Sequence, residues 1–426
     1  MGESNADSRF PPAVQQAGSE KESGYRWAML PVALMVQMCC AFPLSGLSPI
    51  GPYIRDGLNM TYAQFGLLFS AVNLGTVIML AFTGHIVDKI GVRPPMLIGQ
   101  ILMGLLMAFT SLASSYWQIL VLLFLVGICN SIAGPTTAKT IVTWFMTKTR
   151  ATAMGIKQAG IPIAGVILGF AMPAACIAFG WRGAFIVIGC CIAASGVISF
   201  ALYRDSEVMK EMKRKGIASP TWRESSKDIF TKSFMFLCIS GFLMMGAQFA
   251  FTSYLVTYLG KRFEALSIAA PVVLAGTFYS VNSLGGGIGG FFMGMVSDRV
   301  FHGNRKNVLI FVNALGVALL LLMAFVVSSM GVVGIACVVF LYGVFDISWT
   351  GLYVSFATEL AGFKSAGAGS GISLLSGFAG MLVLAPVFGA IVDTTGGYTM
   401  GYVTMAILTF VGILFLIPCK DSDRKA

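Results

Sequence analysis

The sequence predicts an all-α polytopic membrane protein with twelve transmembrane helices in two pseudo-symmetric six-helix bundles. The composition is 57% hydrophobic and only 11% charged. Apolar runs long enough to span a bilayer, about 20 residues each, follow one another along the chain. One charged turn also occurs twice, about half the chain apart, and repeats at such an interval indicate duplicated folding units. We therefore expect two equivalent halves.

The low charge excludes an ordinary soluble protein, in which about 25% of residues are charged. A bilayer must then surround the chain, and in lipid every backbone polar group has to be satisfied within helices or a closed barrel. The apolar runs are long and do not alternate as barrel strands do, so helices are expected. The predicted helices lie near 28–53, 62–86, 94–115, 117–145, 153–178, 182–203, 231–259, 268–297, 306–328, 331–360, 366–392 and 398–418.

Polar stretches set the predicted domain borders. Residues 1–25 lack an apolar core and are expected to be a disordered cytoplasmic tail with no cleavable signal. Residues 204–230 carry a basic run and should form a cytoplasmic linker, either a simple tether or a segment lying on the anionic leaflet. The two bundles then cover 26–203 and 231–418, and a short cytoplasmic tail, 419–426, follows.

The charges of the loops orient the predicted helices. With the N-terminus inside, 23 lysines and arginines, Lys157 among them, fall on the cytoplasmic side, and four fall outside: Arg55, Arg182, Lys261 and Arg262. This bias places both termini in the cytoplasm. It also explains the net charge of +10, so no nucleic-acid partner is expected. The nine cysteines lack the spacing of a metal site or disulfide framework and suit helix packing, so neither metal nor cofactor is expected.

The repeated turn has a glycine, three further residues, an acid and a base. The first copy starts at Gly84 and the second at Gly294, 210 positions later. Both copies lie between apolar runs, on the side that the charge bias assigns to the cytoplasm. The residues of interest are Gly84, Asp88, Lys89 and Arg93 in the first copy, and Gly294, Asp298 and Arg299 in the second.

This pair of turns, each in the loop after the second helix of a half, resembles the loop motif of the major facilitator superfamily of secondary transporters. The resemblance covers essentially the whole chain after the tail. It implies that each acid latches the cytoplasmic ends of the halves in the outward-open state, because a carboxylate is stabilised near the N-terminus of a facing helix. Asp88 would face the start of helix 11 near Gly367, and Asp298 the start of helix 5 near Gly155. The alternative is that both turns only orient the protein.

Departures from the family patterns bear on the strength of the two latches and on the class of substrate. Val92 stands where a cation is usual in the first turn, and the second turn has inserted residues, so the two latches should differ in strength. Asn130 occupies the position of an arginine that some members link to proton coupling, and the drug-antiporter pattern of helix 5 is matched poorly. The helix 5 entry, Gly155-Ile156-Lys157-Gln158-Ala159-Gly160, is more similar to members that move small anions.

Charged side chains at membrane depth are costly and are therefore functional candidates. Asp346 is the one acid predicted deep inside a span, whereas Glu359 and Asp393 fall near helix ends; Lys139 is the one cation predicted well inside. Desolvation disfavours the charged carboxylate, which suits a proton carrier. The alternative for Asp346 is a hydrogen bond that packs two helices. Lys139 either contacts substrate or extends to the cytoplasmic interface.

Polar residues at matching positions of the two halves complete the predicted binding cavity. Asn130 and Asp346 are 216 positions apart, and two amide pairs are 211 and 209 positions apart. Amides donate and accept hydrogen bonds, which suits a carboxylate, sulfonate or hydroxylated substrate, although each is equally able to join two helices. The predicted substrate-binding set is Gln37, Asn73, Asn130, Lys139, Gln248, Tyr279, Asn282, Trp349 and Tyr353, with Asp346 as the proton carrier.

These observations predict a secondary transporter of a small organic anion, a carboxylate or sulfonate, coupled to protons and working by alternating access in the bacterial inner membrane. Its partners should be the substrate, the co-transported ion and lipid, and it should act as a monomer. An exporter of drugs or metabolites is the alternative within transport, and a transporter-like membrane sensor is the alternative of another class. Both histidines, His85 and His302, lie in loops without a catalytic constellation, so no enzyme is expected.

Overall fold

The computed structural model describes residues 24–145, 147–206, 229–301, 304–361 and 365–419. Helices fill nearly all of these ranges, and no described residue belongs to a strand. Long helices satisfy each backbone N–H and C=O within one segment, as lipid requires. Within the helices, the side chains of Asp88, Asp298 and Asp346 lie outside the described part, and of Gly294 only the helical backbone is described.

Six membrane-spanning helices form the first half. They are α1, Arg26–Gly57; α2, Tyr62–Ile90; α3, Arg93–Phe109; α4, in two pieces, Tyr116–Asn130 and Ala133–Trp144; α5, which starts as Thr147–Gln158; and the long helix Gly160–Leu202, which completes α5 and forms α6. Gly180 separates α5 from α6 with φ 70° and ψ 170°. Residues with a Cβ rarely adopt such a conformation, so glycine makes this tight connection possible.

Six further helices form the second half. They are α7, Lys232–Ala265; α8, Pro271–Arg299; α9, Arg305–Phe325; α10, made of Val332–Tyr342, the π-helical turn Gly343–Ile347 and Trp349–Ala361; α11, Ala366–Thr395; and α12, Thr399–Leu416. Within the described residues, ten helical stretches are long and apolar enough to cross a membrane. One of these, Thr152–Leu202, holds two spans, and the 29-residue α8 brings the number to the predicted twelve.

Helices α4 and α10, the predicted equivalents, are both interrupted. Asn130 ends the first piece of α4, and Ser131 and Ile132 separate it from the second. Pro135 accounts for the break, because a proline ring clashes with the carbonyl four residues earlier, here that of Ser131. In α10 the interruption is the π-helical turn that contains Asp346. Turns of this type occur frequently at functional sites.

Close packing repeats between the two halves. Gly127 of α4 lies against the backbone carbonyl of Val72 on α2, and Gly343 of α10 lies against the backbone carbonyl of Asn282 on α8. A Cβ on either glycine would overlap that oxygen, so only glycine permits these approaches. Gly127 and Gly343 are 216 positions apart, and their equivalent contacts extend the predicted duplication to packing inside the membrane.

The two halves meet mainly along three helix pairs: α2 with α11, α5 with α8, and α1 with α7. The predicted borders of the bundles stay predictions. Of the predicted tails and linker, the structure describes only 24–25, 204–206, 229–230 and 419. The rest of the linker, including its basic run, lies outside the described residues.

Candidate functional site

Asp393 closes one end of the interface between the halves. At this end, which we call the Asp393 end, α1 leads into α2 and α11 leads into α12. The Oδ1 atom of Asp393 accepts a hydrogen bond from the Tyr62 N–H at 2.8 Å, and its Oδ2 atom accepts one from the Ala63 N–H at 2.8 Å. These N–H groups open α2 and have no acceptor in their own helix, and the helix dipole favours an anion there. The second half thus caps a helix of the first.

Tyr62 makes further contacts across the same end. The Tyr254 hydroxyl on α7 donates to the Tyr62 carbonyl at 2.6 Å. One cation from each half flanks the Tyr62 ring, with the Arg55 guanidinium 4.5 Å and the Lys261 ammonium 5.0 Å from its centre. Cation–π contacts contribute about 0.5–1 kcal/mol each at exposed sites. Main chain, ring and charge therefore all join the halves around this residue.

Glycines let α2 and α11 touch at the Asp393 end. A Cβ on Gly66 would lie 2.7 Å from the Ala385 carbonyl oxygen and 2.7 Å from the Pro386 Cα. A Cβ on Gly389 would overlap the Tyr62 carbonyl oxygen. Small residues permit such backbone contact between helices in lipid. The Asp393 end is therefore closed by direct packing as well as by polar bonds.

Serine hydroxyls continue the interface toward the middle of the bundle. Each donates a hydrogen bond to a backbone carbonyl of the other half: Ser70 to Leu382 at 2.6 Å, Ser280 to Val166 at 2.8 Å and Ser48 to Thr252 at 2.8 Å. One bond serves each of the three helix pairs that join the halves. Because both partners are neutral, each contributes only about 0.5–1.5 kcal/mol, and together they align the pairs without locking them.

The opposite end of the interface, where α2 ends and α11 begins, is open at four glycines that the structure describes; we call it the Asp88 end. At Gly84 in α2 and Gly371 in α11, nothing beyond the local helix lies within 4 Å of the place a Cβ would take, and Gly155 in α5 and Gly290 in α8 are equally open. A mostly apolar gap of about 470 Å³ also lies between the middle parts of α5 and α8. In the described part of the chain, the interface is thus closed at the Asp393 end only.

The predicted latch lies at the Asp88 end. The side chains of Asp88 and Asp298 and the predicted latch residue Gly294 fall outside what the structure describes. Lys89 and Arg299 are exposed. Arg93 packs within the first half, where its Nε donates to the Phe200 carbonyl at 3.1 Å and its guanidinium lies 4.1 Å from the centre of the Phe200 ring. Arg93 therefore joins α3 to α6, and the latch stays a prediction.

Among the predicted binding residues of the first half, Gln37 and Asn130 have polar atoms at the inner helices. The Thr137 hydroxyl donates to Gln37 Oε1 at 3.2 Å and so connects α4 to α1. The Asn130 Oδ1 atom is buried and has no hydrogen-bond partner among the described residues. A buried acceptor left in this way costs about 1–3 kcal/mol. Asn130 is therefore ready to receive a donor from water or a ligand.

The side chains of Lys139 and Asn73 each donate a hydrogen bond to a backbone carbonyl of the first half. The Lys139 Nζ donates to the carbonyl of Val87 at 3.3 Å, near the end of α2. This direction, toward the Asp88 end, is the one expected for the interfacial alternative. The Asn73 Nδ2 donates to Phe69, one turn earlier in the same helix, at 3.2 Å. Neither side chain reaches across to the second half in these bonds.

The predicted residues of the second half differ in how far their polar atoms are used. Buried polar atoms without a partner in the described part of the chain are Gln248 Oε1, both amide atoms of Asn282, and Trp349 Nε1. The Tyr353 hydroxyl, in contrast, donates to the Ser373 carbonyl at 3.0 Å and lies 3.1 Å from the Ser376 hydroxyl. Tyr279 is buried at 7% exposure. Tyr353 thus joins α10 to α11. The two amides and the indole, in contrast, keep unused hydrogen-bonding atoms.

Asp346, the predicted proton carrier, lies in the π-helical turn of α10. Its side chain is outside the described residues, so its role stays a prediction. Trp349 follows one turn later and is fully buried. The position of Asp346 in an interrupted segment agrees with the general location of functional groups at π-turns.

Two residues that the sequence reasoning missed are Asp393 and Lys157. The run Gly389-Ala390-Ile391-Val392-Asp393 repeats the spacing of Gly84-His85-Ile86-Val87-Asp88, a signal that identifies Asp393 as more than a helix-end acid. Lys157 was counted with the cytoplasmic loop cations, and Lys139 was expected to be the one cation well inside a span. Lys157 also lies within α5, and its side chain is only 7% exposed.

The sequence model of the Major Facilitator Superfamily matches residues 33–383. The chain is 24% identical to the probable sulfoacetate transporter SauU of Cupriavidus necator over 410 residues, which cover 89% of this chain and 92% of that protein. It is 26% identical to the hexuronate transporter of Bacillus subtilis, and the match covers 88% of this chain and 89% of that protein. It is 23% identical to the membrane sensor protein UhpC of Escherichia coli, with 87% of each covered.

Solved structures show the same fold. A bacterial homologue of the human lysosomal transporter Spinster, in an inward-facing and unoccupied conformation, matches with a TM-score of 0.72 at 15% identity, covering 93% of this chain and 97% of that one. The match supports the arrangement of twelve helices in two bundles that the sequence predicted. Because the family model matches most of this chain, the chain belongs to the Major Facilitator Superfamily and is an integral membrane transporter of that fold.

Proposed function

We propose that this protein is a secondary active transporter that moves a small organic anion, a carboxylate or sulfonate, together with protons by alternating access. The observation that carries the proposal is the one-sided closure of the interface. Asp393 holds α11 against the start of α2 at 2.8 Å, whereas the other ends of the same two helices carry open glycines at Gly84 and Gly371. Such an arrangement is one of the two states that rocking of the halves produces.

The second state needs a matching closure at the Asp88 end, and the latch supplies it. Asp88 lies two residues before the end of α2, and Asp393 lies two residues before the end of α11. In our proposal Asp88 caps the start of α11 when the Asp88 end closes, as Asp393 caps the start of α2 now. Asp298 acts likewise on α5. Because the caps sit at opposite ends of one helix pair, rocking that forms one separates the other.

The charge bias of the loops sets the orientation of this cycle. With both termini in the cytoplasm, the Asp393 end faces outward and the Asp88 end inward. The structure then corresponds to an inward-facing state of a protein in the bacterial inner membrane. Substrate released in this state leaves toward the cytoplasm, in the direction of uptake.

Two observations support the proposed class of substrate: the names of two relatives and the unpaired polar atoms of the predicted binding residues. SauU is named for sulfoacetate and the Bacillus subtilis relative for hexuronate; both are small organic anions. The free amide atoms of Gln248 and Asn282 suit the oxygens and hydroxyls of such compounds. We assign proton uptake and release to Asp346, because a low-dielectric site favours the neutral, protonated form of a carboxyl group.

Uptake into proteoliposomes tests the proposal. Purified protein should accumulate labelled galacturonate or sulfoacetate when the vesicle lumen is made alkaline relative to the bath, and collapse of the proton gradient should leave only equilibration. Active protein whose uptake ignores the gradient contradicts the proton coupling. Efflux that dominates under the same gradient, with no uptake of these anions, favours the exporter alternative.

A membrane sensor is the second candidate, because UhpC, a relative of similar length, is named as one. Movement of the anion across the membrane distinguishes the two functions. A sensor binds the anion without moving it, so binding with no counterflow of labelled against unlabelled anion in the same vesicles favours sensing.

A further inference from the structure

Lys157 lies in a polar layer between three helices of the first half. A small apolar cluster joins α1, α4 and α5 and consists of Leu30, Ala33, Ile141, Phe145 and Ala153. One helical turn closer to the middle of the bundle, on the same helix faces, come three polar residues: Gln37 after Ala33, Thr137 before Ile141 and Lys157 after Ala153. Residues four apart share one face of a helix, so these three form the next layer.

Two contacts support this layer. The Thr137 hydroxyl reaches Gln37 Oε1 at 3.2 Å, which fixes the distance between α4 and α1 at this level. Gly160, three residues after Lys157, lies against the backbone of Leu34 and Met38. The part of α5 that carries Lys157 therefore packs on α1 at the turn that carries Gln37.

The cation in this layer has no counter-charge. Lys157 is 7% exposed, and in the described part of the chain no carboxylate forms an ion pair with it and no acceptor takes a hydrogen bond from its ammonium. The amide of Gln100 does not serve it, since Gln100 Oε1 accepts from Ser195 and its Nε2 lies against Val36 and Cys40. A largely buried lysine side chain with no counter-charge is unfavourable. An anion that is bound in part of the cycle would supply that charge.

We propose that Lys157 binds the acid group of the transported anion, with the amide of Gln37 as a second donor. This inference rests on the proposed function and assigns to α5 a contact that the predicted binding set lacked. One end of the Gln37 amide lies 3.2 Å from the Thr137 hydroxyl, which also donates to the Ala133 carbonyl at 2.6 Å. In either orientation of the amide, at least one N–H of Gln37 has no partner among the described residues. A carboxylate or sulfonate presents two or three acceptor oxygens, enough for both donors.

Thermal stability of the purified full-length protein tests the inference without knowledge of the natural substrate. Acetate and methanesulfonate are the probes, and acetamide at equal concentration is the uncharged comparison. The wild type should be stabilised by both anions and not by acetamide. In K157Q the anion concentration for half-maximal stabilisation should rise at least about tenfold, since a charge-assisted bond is lost. K232Q, the same change at an exposed lysine, should behave as the wild type.

Gln37→Glu provides a test that keeps the lysine. The new carboxylate becomes an internal counter-charge for Lys157, so the unliganded variant should melt at a higher temperature and lose the stabilisation by acetate. This variant decides the question if K157Q does not fold. Equal anion stabilisation in wild type and both variants, or none in the wild type, overturns the inference. Uptake by the wild type in vesicles judges the proposed function separately.

Discussion

The carboxylate of Asp393 caps the first turn of a helix in the other half, with both oxygens 2.8 Å from the backbone N–H groups of Tyr62 and Ala63. The contact uses an acid at the end of α11 and the positive end of the α2 dipole. It is therefore sensitive to the charge of one side chain and independent of the side chains at the helix start. Conformational balance in this protein should respond most to that single charge.

Replacing Asp393 by Asn should shift the protein away from the state described here. The amide accepts weaker bonds than the carboxylate, and charge-assisted bonds contribute about 1.5–3 kcal/mol against about 0.5–1.5 kcal/mol for neutral ones. We expect the closed Asp393 end to lose about 1–2 kcal/mol on this basis. Labelling of a cysteine that replaces Ser70, which is buried between α2 and α11, from the Asp393 side should become faster. D56N is the control, because Asp56 at the same end pairs, among the described residues, with its neighbour Arg55 and not with a helix start of the other half; equal labelling in both variants contradicts the assignment.

Replacing Asp88 by Asn should have the opposite effect. In our proposal Asp88 caps α11 only when the Asp88 end is closed, so its loss should favour the state described here. Labelling of a cysteine at Gly371, which is open in the structure, should become faster, and labelling at the Asp393 end slower. An increase at both ends would show that Asp88 only stabilises the fold. The matching variant D298N should change the balance by a different amount, because the two turns differ in sequence.

Replacing Gly66 by Val should prevent closure of the Asp393 end. The side chain would enter the space of the Ala385 carbonyl and the Pro386 Cα, each 2.7 Å from the Cβ position. Rocking into the inward-facing state then requires α2 and α11 to separate. We expect net uptake to fall at least about tenfold, because overpacking costs about 1–3 kcal/mol, while the anion still binds from the Asp393 side. Gly397→Ala, at a position with open space, is the control; wild-type uptake by Gly66→Val would contradict the described interface.

Replacing Asp346 by Asn should separate exchange from accumulation. A neutral amide cannot carry the proton, so gradient-driven uptake should disappear while counterflow of labelled anion continues. The two are measured in the same vesicle preparation, with total protein as reference. Full accumulation by D346N removes Asp346 as the proton carrier and favours the alternative in which it packs two helices.

Replacing Gly180 by Ala should lower stability without touching transport residues. Its φ of 70° with ψ of 170° lies where residues with a Cβ are strained, although no neighbouring atom is within 4 Å of the Cβ position. Strain of this kind costs about 1–3 kcal/mol. Unfolding in detergent should show that loss. Gly397→Ala serves as the control, and an unchanged stability of Gly180→Ala would contradict the tight connection between α5 and α6.

The fold was predictable because its signals are long and redundant. Apolar runs, loop charge and the two glycine–acid turns each point to two bundles in a membrane, and the pair Gly127 and Gly343 carried the repeat into the helix interior. The π-helical turn around Asp346 was not predictable, since no residue type marks the insertion of one residue into a helical turn.

The candidate site was predictable only in part. Amides such as Gln37 and Asn282 stand out at membrane depth by chemistry alone. Which of their atoms are free depends on packing between segments distant in sequence, as the occupied hydroxyl of Tyr353 illustrates. Lys157 was counted with the cytoplasmic cations, and only the packing of α5 against α1 shows that its side chain is buried. Asp393 was undervalued because its capping partner lies 331 positions away, although the spacing from Gly389 to Asp393 repeats that from Gly84 to Asp88.

The most direct test of the account measures both ends of the bundle in one molecule. Pairs of probes placed across the Asp393 end and across the Asp88 end, read by distance-sensitive spectroscopy in lipid, should report anticorrelated populations when anion and protons are added. D393N and D88N should displace both distances in opposite directions. Two ends that open together, or distances that neither variant nor the anion changes, would contradict alternating closure through Asp393 and Asp88.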